Sequence, residues 1–256
     1  MNARRDRDCR LTPIGQPLRW AAAVLLVLAT CLSAAAQTIV DLQLALMVDA
    51  SGSVDRYRFE LQKRGYVEAF RNPKVLAAML GGRDRSVAVT MVQWTGPFLH
   101  VQVLPWTVIK DEASVKTVAS VVEQTPRALF GGGTSISGAI DYAMSLFRQS
   151  PFKSERQVID ISGDGSNNIG RSVVRARDEA VAKDVTINGL PILAVEYDLD
   201  RYYRDFVIGG PGAFMVVAKD FESFGEAILK KLIIEIAAGE RRPSGFAIAS
   251  PLAPDR

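Results

Sequence analysis

Cysteine and histidine are scarce in this 256-residue chain: two cysteines, Cys9 and Cys31, and one histidine, His100. Both cysteines lie before residue 37. The remainder therefore has no disulfide, no thiol nucleophile and no cysteine-based zinc site. The one histidine, His100, lies in a strand pattern and reads as structural. A serine hydrolase would have only His100 as its usual base, and the chain has no G-x-S-x-G. Three glycines in a row occur at 131–133, but no G-K-S/T follows them, so the phosphate-loop pattern fails. An excess of one charge is also missing. The total is 31 basic and 28 acidic residues, and the first 36 residues hold five and two of these, which leaves 26 of each. The basic character belongs to the start of the chain and gives no electrostatic footprint for nucleic acid. No internal repeat is visible.

The start has its own logic. Arg4, Arg5, Arg7, Arg10 and Arg19 precede the apolar run WAAAVLLVLATCLSAAA at 20–36. A basic segment, a short apolar run and small residues at its end make a secretory signal peptide, with Ala34-Ala35-Ala36 as the cleavage site. Residues 1–36 are thus expected to be removed on export, to the periplasm or beyond, with no stable membrane span left. The run is short for a spanning helix, which needs about 20 apolar residues; retention as an anchor is the competing reading. Cys31 after LAT opens a third, a lipoprotein, although Thr30 suits it poorly. Residues 37–238 then form one domain, large enough for a sizeable core. The segment from Gly239 to Arg256 is rich in Pro, Gly and Ser without period, and reads as a mobile tail.

Within the domain the periodicity alternates. IVDLQLALMV (39–48) reads as a strand apolar on both faces, the mark of a covered parallel sheet. Residues 54–72 suit a helix. SVAVTMVQWTG (86–96) and FLHVQVLPW (98–106) read as two strands joined by a tight Gly-Pro turn. Helices are expected at 110–124 and 134–149, a strand at 156–162, a helix at 171–184, strands at 186–196 and 212–218, and a closing amphipathic helix at 220–237. Strands alternating with helices imply an α/β sandwich with a mostly parallel sheet and one antiparallel edge strand. Ligands of such sheets bind beyond the carboxyl ends of the strands, where strand order reverses.

Three stretches there share one chemistry. Asp49-Ala50-Ser51-Gly52-Ser53 follows the first strand, Gly131-Gly132-Gly133-Thr134 precedes a helix, and Gly163-Asp164-Gly165 follows the strand at 156–162. Together they offer two carboxylates and three hydroxyls. Such hard oxygen donors suit Mg²⁺, Mn²⁺ or Ca²⁺ and suit zinc or copper badly. The D-x-S-x-S step points alternate residues one way, so their oxygens can converge. A helix starting near Val54 would aim its positive end at the site, which opposes a cation; two carboxylates offset that. Uncharged hydroxyl ligands would leave the metal able to attract an outside carboxylate.

D-A-S-G-S, then G-G-T, then G-D-G resembles the metal-ion-dependent adhesion site of von Willebrand factor A-type domains, over roughly residues 39–238. The chain is also similar to a group of exported bacterial proteins of this type with no assigned role. The resemblance implies a three-layer α/β/α sandwich. It implies direct metal ligation by Ser51, Ser53 and Thr134, with Asp49 and Asp164 acting through water or at closer range. The last metal position would take an Asp or Glu carboxylate from a protein partner. The family commonly has Thr where this chain has Gly163, and Ser162 is the neighbouring hydroxyl that could stand in.

Other readings stay open at this point. Asp49 and Asp164 could be helix caps or turn residues. Asp160, inside an apolar strand, could pair with an arginine, face a polar seam or touch the metal. RYYRDF (201–206) could read a partner or form a lid on the core. The chain could be an envelope assembly or structural factor whose metal site is vestigial. GDGSNN (163–168) is similar to a loop of haloacid dehalogenase-like phosphatases, but Ser51 stands where their acid/base Asp would be and Asn168 where a metal-binding Asp would be. The reading carried forward is an exported, non-enzymatic, metal-dependent protein-binding module.

Overall fold

A strand that is apolar on both sides must be covered on both sides, and the rest of the chain supplies the cover. The computed structural model describes residues 37–237. The expected leader, with Cys9 and Cys31, and the expected tail from Gly239 lie outside the described residues. The element order is β1 (Thr38–Ile39), β2 (Leu42–Asp49), α1 (Arg56–Arg71), α2 (Pro73–Met79), β3 (Val87–Trp94), β4 (His100–Ile109), α3 (Glu112–Gln124), α4 (Ile136–Gln149), β5 (Phe152–Lys153), β6 (Gln157–Gly163), α5 (Val173–Val181), β7 (Val185–Pro191), α6 (Leu199–Tyr202), a π-helical turn (Tyr203–Val207) and α7 (Phe224–Ala237). The main sheet runs β4-β3-β2-β6-β7, and β1 pairs with β5 in a small separate sheet. All pairings in the main sheet are parallel except β3 with β4, which places one antiparallel strand at the edge.

Side-chain alternation along β2 divides the core. Leu42, Leu44, Leu46 and Val48 join Phe59, Tyr66 and Phe70 of α1, Val118 of α3 and Leu232 of α7 on one side. Ala45 and Met47 join Ile136, Ile140 and Ala143 of α4 and Ala176 of α5 on the other. The result is the expected α/β/α sandwich. Each fully buried leucine contributes about 1.5–3 kcal/mol, so the two central strands anchor the fold. Among the described residues no helix is long and apolar enough to cross a membrane.

Three local expectations are corrected, and one helix is added. The strand expected at 39–48 splits into β1 and β2 because Asp41 turns its carboxylate to the N–H groups of Asp84 and Ser86, at 2.9 and 3.2 Å. The strand expected at 212–218 is not a ladder. Only isolated bridges hold it, Met215 to Gly189 of β7 and Ala218 to Ile192 just past β7, after Gly210 and Gly212 turn the chain through positive φ. The closing helix starts at Phe224 rather than 220. The short α2 was not foreseen; Asn72 caps it, accepting from Lys74 N–H, and Pro73 opens it.

Two singled-out residues resolve here as packing. Asp160 of β6 points towards α7 and pairs with Lys231 at 2.7 Å, not with an arginine. Lys231 also pairs with Glu235 at 3.0 Å, and Asn188 donates to Glu235 at 2.8 Å. All three charged groups are fully buried. His100 stacks on Tyr142 with ring centroids 4.7 Å apart.

Candidate metal centre

Strand order reverses at β2. From β2 the chain moves outward to β3 and β4, then crosses back to β6 on the other side. The carboxyl ends of β2 and β6 therefore flank a topological switch point, where open α/β sheets bind ligands. Asp49 is the last residue of β2 and Asp164 follows β6 directly. Neither caps a helix. Asp55 caps α1, accepting from Arg58 N–H at 2.8 Å, and Ser172 caps α5. The capping explanation for the two aspartates is thereby removed.

Four of the five candidates form one hydrogen-bonded group. Ser51 N–H donates to Asp49 Oδ1 at 2.7 Å, which folds the D-A-S turn back on its own carboxylate. Asp164 N–H approaches Asp49 Oδ2 at 3.4 Å. Ser53 Oγ donates to Asp164 Oδ1 at 2.5 Å, and the Ser51 and Ser53 hydroxyls lie 3.3 Å apart. Gln62 of α1 donates to the carbonyl of Asp49 at 3.2 Å and fixes the end of β2.

Thr134 reaches the group through its loop. Gly52 N–H donates to the Gly132 carbonyl at 3.2 Å. Thr95 Oγ1 ties the carbonyls of Gly131 and Gly133 at 3.0 and 2.9 Å. Gly132 has φ +99°, and a Cβ there would lie 2.6 Å from Thr95 Oγ1, so both conformation and space demand glycine. Asn168 accepts from Thr134 N–H at 2.9 Å and donates its own N–H to the Thr134 carbonyl at 2.9 Å. The Thr134 hydroxyl then faces Gly165, 3.5 Å from where a Cβ would be. Glycine at 163 is constrained by space alone: a Cβ would lie 2.9 Å from Asp49 Oδ2 and 3.1 Å from the Tyr203 hydroxyl. That explains the departure from Thr at this position. Ser162 does not replace the missing hydroxyl, because it bonds to the Met47 carbonyl and lies 3.3 Å from the Tyr66 hydroxyl.

The electrostatics are under-compensated. Burial, then the charge of Asp164, pushes Asp49 up to about 7 against the hydrogen bonds from Ser51. Burial also raises Asp164, against the Ser53 hydroxyl and the Arg58 guanidinium, which stands 3.7 Å away. Asp164 Oδ2 and the Tyr203 hydroxyl are buried without a hydrogen-bond partner. Burial, then Asp49, drives Tyr203 well above the ordinary tyrosine range. An unpartnered buried carboxylate oxygen is costly. The donors are all oxygen, two of them anionic, so a hard divalent cation fits them. Among the described residues no three Asp, Glu, His or Cys side chains form a metal cluster; the remaining donors here are hydroxyls.

Several neighbours escaped the sequence reading. Arg58 donates to the Ser53 carbonyl at 2.7 Å, and Arg127 to the carbonyls of Ala50 and Ser51 at 3.1 Å each. Glu196 accepts from the N–H and hydroxyl of Ser166 at 3.0 and 3.1 Å. Isolated Arg and Glu residues carry no periodic signal that marks them. Tyr203 had one: it lies in RYYRDF (201–206), where it alone of the aromatics is buried on the core, between buried Leu199 and Val207, while Phe206 is exposed.

Solved structures share the architecture. The chain is similar to the pilus adhesin SpaC from Lactobacillus rhamnosus GG, with TM-score 0.57 and 15% identity over 78% of this chain and 31% of that one. It is similar to proximal thread matrix protein 1 from the mussel byssus, with TM-score 0.56 and 15% identity over 78% and 47%. Another structure of that mussel protein is described as having a zinc-occupied MIDAS motif. A von Willebrand factor type A protein from Catenulispora acidiphila matches with TM-score 0.54 and 14% identity over 78% and 43%. At these identities the likeness establishes the fold, and the chain spans less than half the length of each. No curated protein matches the chain. The family model described as "Protein of unknown function (DUF1194)" matches residues 39–240. The chain therefore belongs to that family, and its fold is that of a von Willebrand A-type domain.

Proposed function

We propose that the protein is an exported binding module which holds a divalent cation, Mg²⁺ in the first instance, and captures an acidic side chain of a protein partner. Asp49, Ser51, Ser53, Thr134 and Asp164 would hold the cation. Bound there, it would supply a positive centre for an Asp or Glu carboxylate. The carrying observation is the meeting of two buried carboxylates from separate strands with serine hydroxyls, one carboxylate oxygen left unpartnered. The neighbours that are an adhesin and a matrix protein support a binding role over catalysis. A phosphatase reading finds no support in the site: Ser51 occupies the acid/base position, and Asn168 is committed to the backbone of Thr134. The domain would run over 37–238, between a removed leader and a tail from 239.

Calorimetric titration of the full chain with Mg²⁺, Mn²⁺, Ca²⁺ and Zn²⁺, beside Asp49→Ala and Thr134→Ala, tests this. Saturable binding in the parent chain and loss in both variants is expected. Equal heats in all three would remove the metal claim. Partner capture that survives chelator would favour the envelope assembly factor with a vestigial site.

A further inference from the structure

Twelve large hydrophobic side chains are exposed among the described residues, and they are unevenly placed. Six belong to loops at the carboxyl end of the parallel strands, around the candidate metal centre, and a seventh, Tyr57, to the first turn of α1. Phe98 and Leu99, 94% and 51% exposed, occupy the turn after β3. That turn is stitched to the glycine loop through Thr95, whose carbonyl also accepts from Ser135 N–H at 2.8 Å. Phe130, 79% exposed, adjoins Gly131 and lies under the Arg127 guanidinium at 5.4 Å. Ile169 borders Gly133 and approaches the Thr134 carbonyl through its N–H at 3.4 Å. Across the site, Tyr57 precedes Arg58, while Val195 and Tyr197 flank Glu196. Single exposed apolar residues need no explanation; several gathered on the loops around one candidate site, on both sides of it, do point to an interaction surface.

Charge and shape narrow the occupant. Arg58 and Arg127 bond the carbonyls of Ser53, Ala50 and Ser51, and each guanidinium also lies over an aromatic ring, Phe221 at 5.3 Å and Phe130 at 5.4 Å. These arrangements hold two positive charges at the mouth of the site. Beside Arg58 opens a cleft of about 330 Å³ floored by Leu193, Ala194 and Phe221. Around its mouth, Arg58 and Lys219 are balanced by Asp220 and Glu222. The cleft thus has no net charge to attract a second acid, and its volume is at the small end of ligand pockets.

Building on the metal-site reading above, we infer that the partner presents one carboxylate flanked on both sides by large apolar side chains. One flank would enter the cleft beside Arg58. The other would cover Phe98, Phe130 and Ile169. Apolar burial would supply affinity, and the carboxylate would supply register and metal dependence.

Three labelled synthetic peptides test this on the full chain: one with a central Glu between Leu and Phe, one with the flanks changed to Ser, one with the Glu changed to Gln. Anisotropy in saturating Mg²⁺ should show the first binding at least tenfold tighter than either control, with that advantage lost in chelator. The double variant Phe98→Ser, Leu99→Ser strips one of the two flank surfaces, so it should weaken the preference for apolar flanks at least threefold while its Mg²⁺ titration stays unchanged. Equal binding of the Leu/Phe-flanked and Ser-flanked peptides would overturn the apolar rim and leave the metal reading intact. Binding of the Gln peptide as tight as that of the Glu peptide, with or without Mg²⁺, would overturn the carboxylate and the metal reading with it. Absence of any peptide binding would overturn the inference. So would vesicle co-sedimentation with anionic phospholipid that the double variant abolishes, which would assign the rim to a membrane surface.

Discussion

β6 and the residue just past its end hold two aspartates four positions apart, Asp160 and Asp164, in environments built differently. Asp160 faces α7, where Lys231 at 2.7 Å supplies a cation of the protein's own, with Glu235 and Asn188 completing the cluster. Asp164, just past the strand end, has Asp49 as its neighbour and only Arg58 at 3.7 Å for compensation. Burial works against the charge of Lys231, yet Asp160 and Glu235 hold its affinity for the proton above the usual range. No such group stands inside the Asp49–Asp164 pair. One cluster has an internal cation, although two carboxylates share it and burial still holds Asp160 up at about 7, and it ties α7 to β6. The other is left short of positive charge at the end of the sheet where ligands arrive.

The largest effect should come from removing the internal cation. Lys231→Met would leave Asp160 and Glu235 buried without their counter-charge. Breaking a buried ion pair in this way costs about 3–5 kcal/mol, and urea unfolding should show it. Adding Asp160→Asn should recover part of the loss. If Lys231→Met were neutral, the comparison between the clusters would fail.

The open cluster should respond to pH with the opposite sense to a well-paired carboxylate. Asp49 is held at about 7 in the fold against an ordinary 3.8, so between those values the folded chain binds the extra proton. Without divalent metal, stability should therefore fall as pH rises from about 4 to about 7 and then level off. Asp160, also pushed up to about 7 by burial, adds a slope of the same sign. Asp49→Asn should flatten the profile by its own share, read as unfolding midpoints across that window. An unchanged slope would show that Asp49 is not desolvated as the structure has it.

Metal should act on the open cluster alone. A ligand at a hundred times its dissociation constant stabilises by about 2.7 kcal/mol, which for a domain of this size raises the melting temperature by roughly 5–11 °C. Mg²⁺ should give that rise in the parent chain and in Asp160→Asn, and none in Asp49→Asn. A rise that survives in Asp49→Asn would place the cation elsewhere.

The sequence made one of these regions legible and hid much of the other. Asp49, Ser51, Ser53, Thr134 and Asp164 could be read because a turn that presents oxygen atoms needs fixed spacing and glycine around it. The alternating strands and helices were legible for a similar reason, since burial imposes period. Lys231 was not. In the closing amphipathic helix it looks like a solvated lysine, and only the packing of α7 on β6 brings it against Asp160. The segment at 212–218 misled for the converse reason: GAFMVVA has strand composition, but Gly210 and Gly212 turn the backbone so that it makes only isolated bridges, to Gly189 of β7 and to Ile192 beyond it. Pairing between distant segments leaves no mark in local pattern.

The smallest expected effect bears on the boundary between the two regions. Tyr203 brings its buried hydroxyl to the Asp49 side of Gly163 without a hydrogen-bond partner. An unpartnered buried hydroxyl is a cost, so Tyr203→Phe should leave the metal-free fold unchanged or up to about 1 kcal/mol more stable. If the hydroxyl instead donates to Asp49 in solution, the variant should lose a similar amount and Asp49 should titrate higher still. Urea midpoints at pH 5 and pH 8 separate the two. No loss at either value keeps Asp49 as a carboxylate short of partners, and a loss confined to pH 8 gives it a donor that the comparison of the two clusters denies.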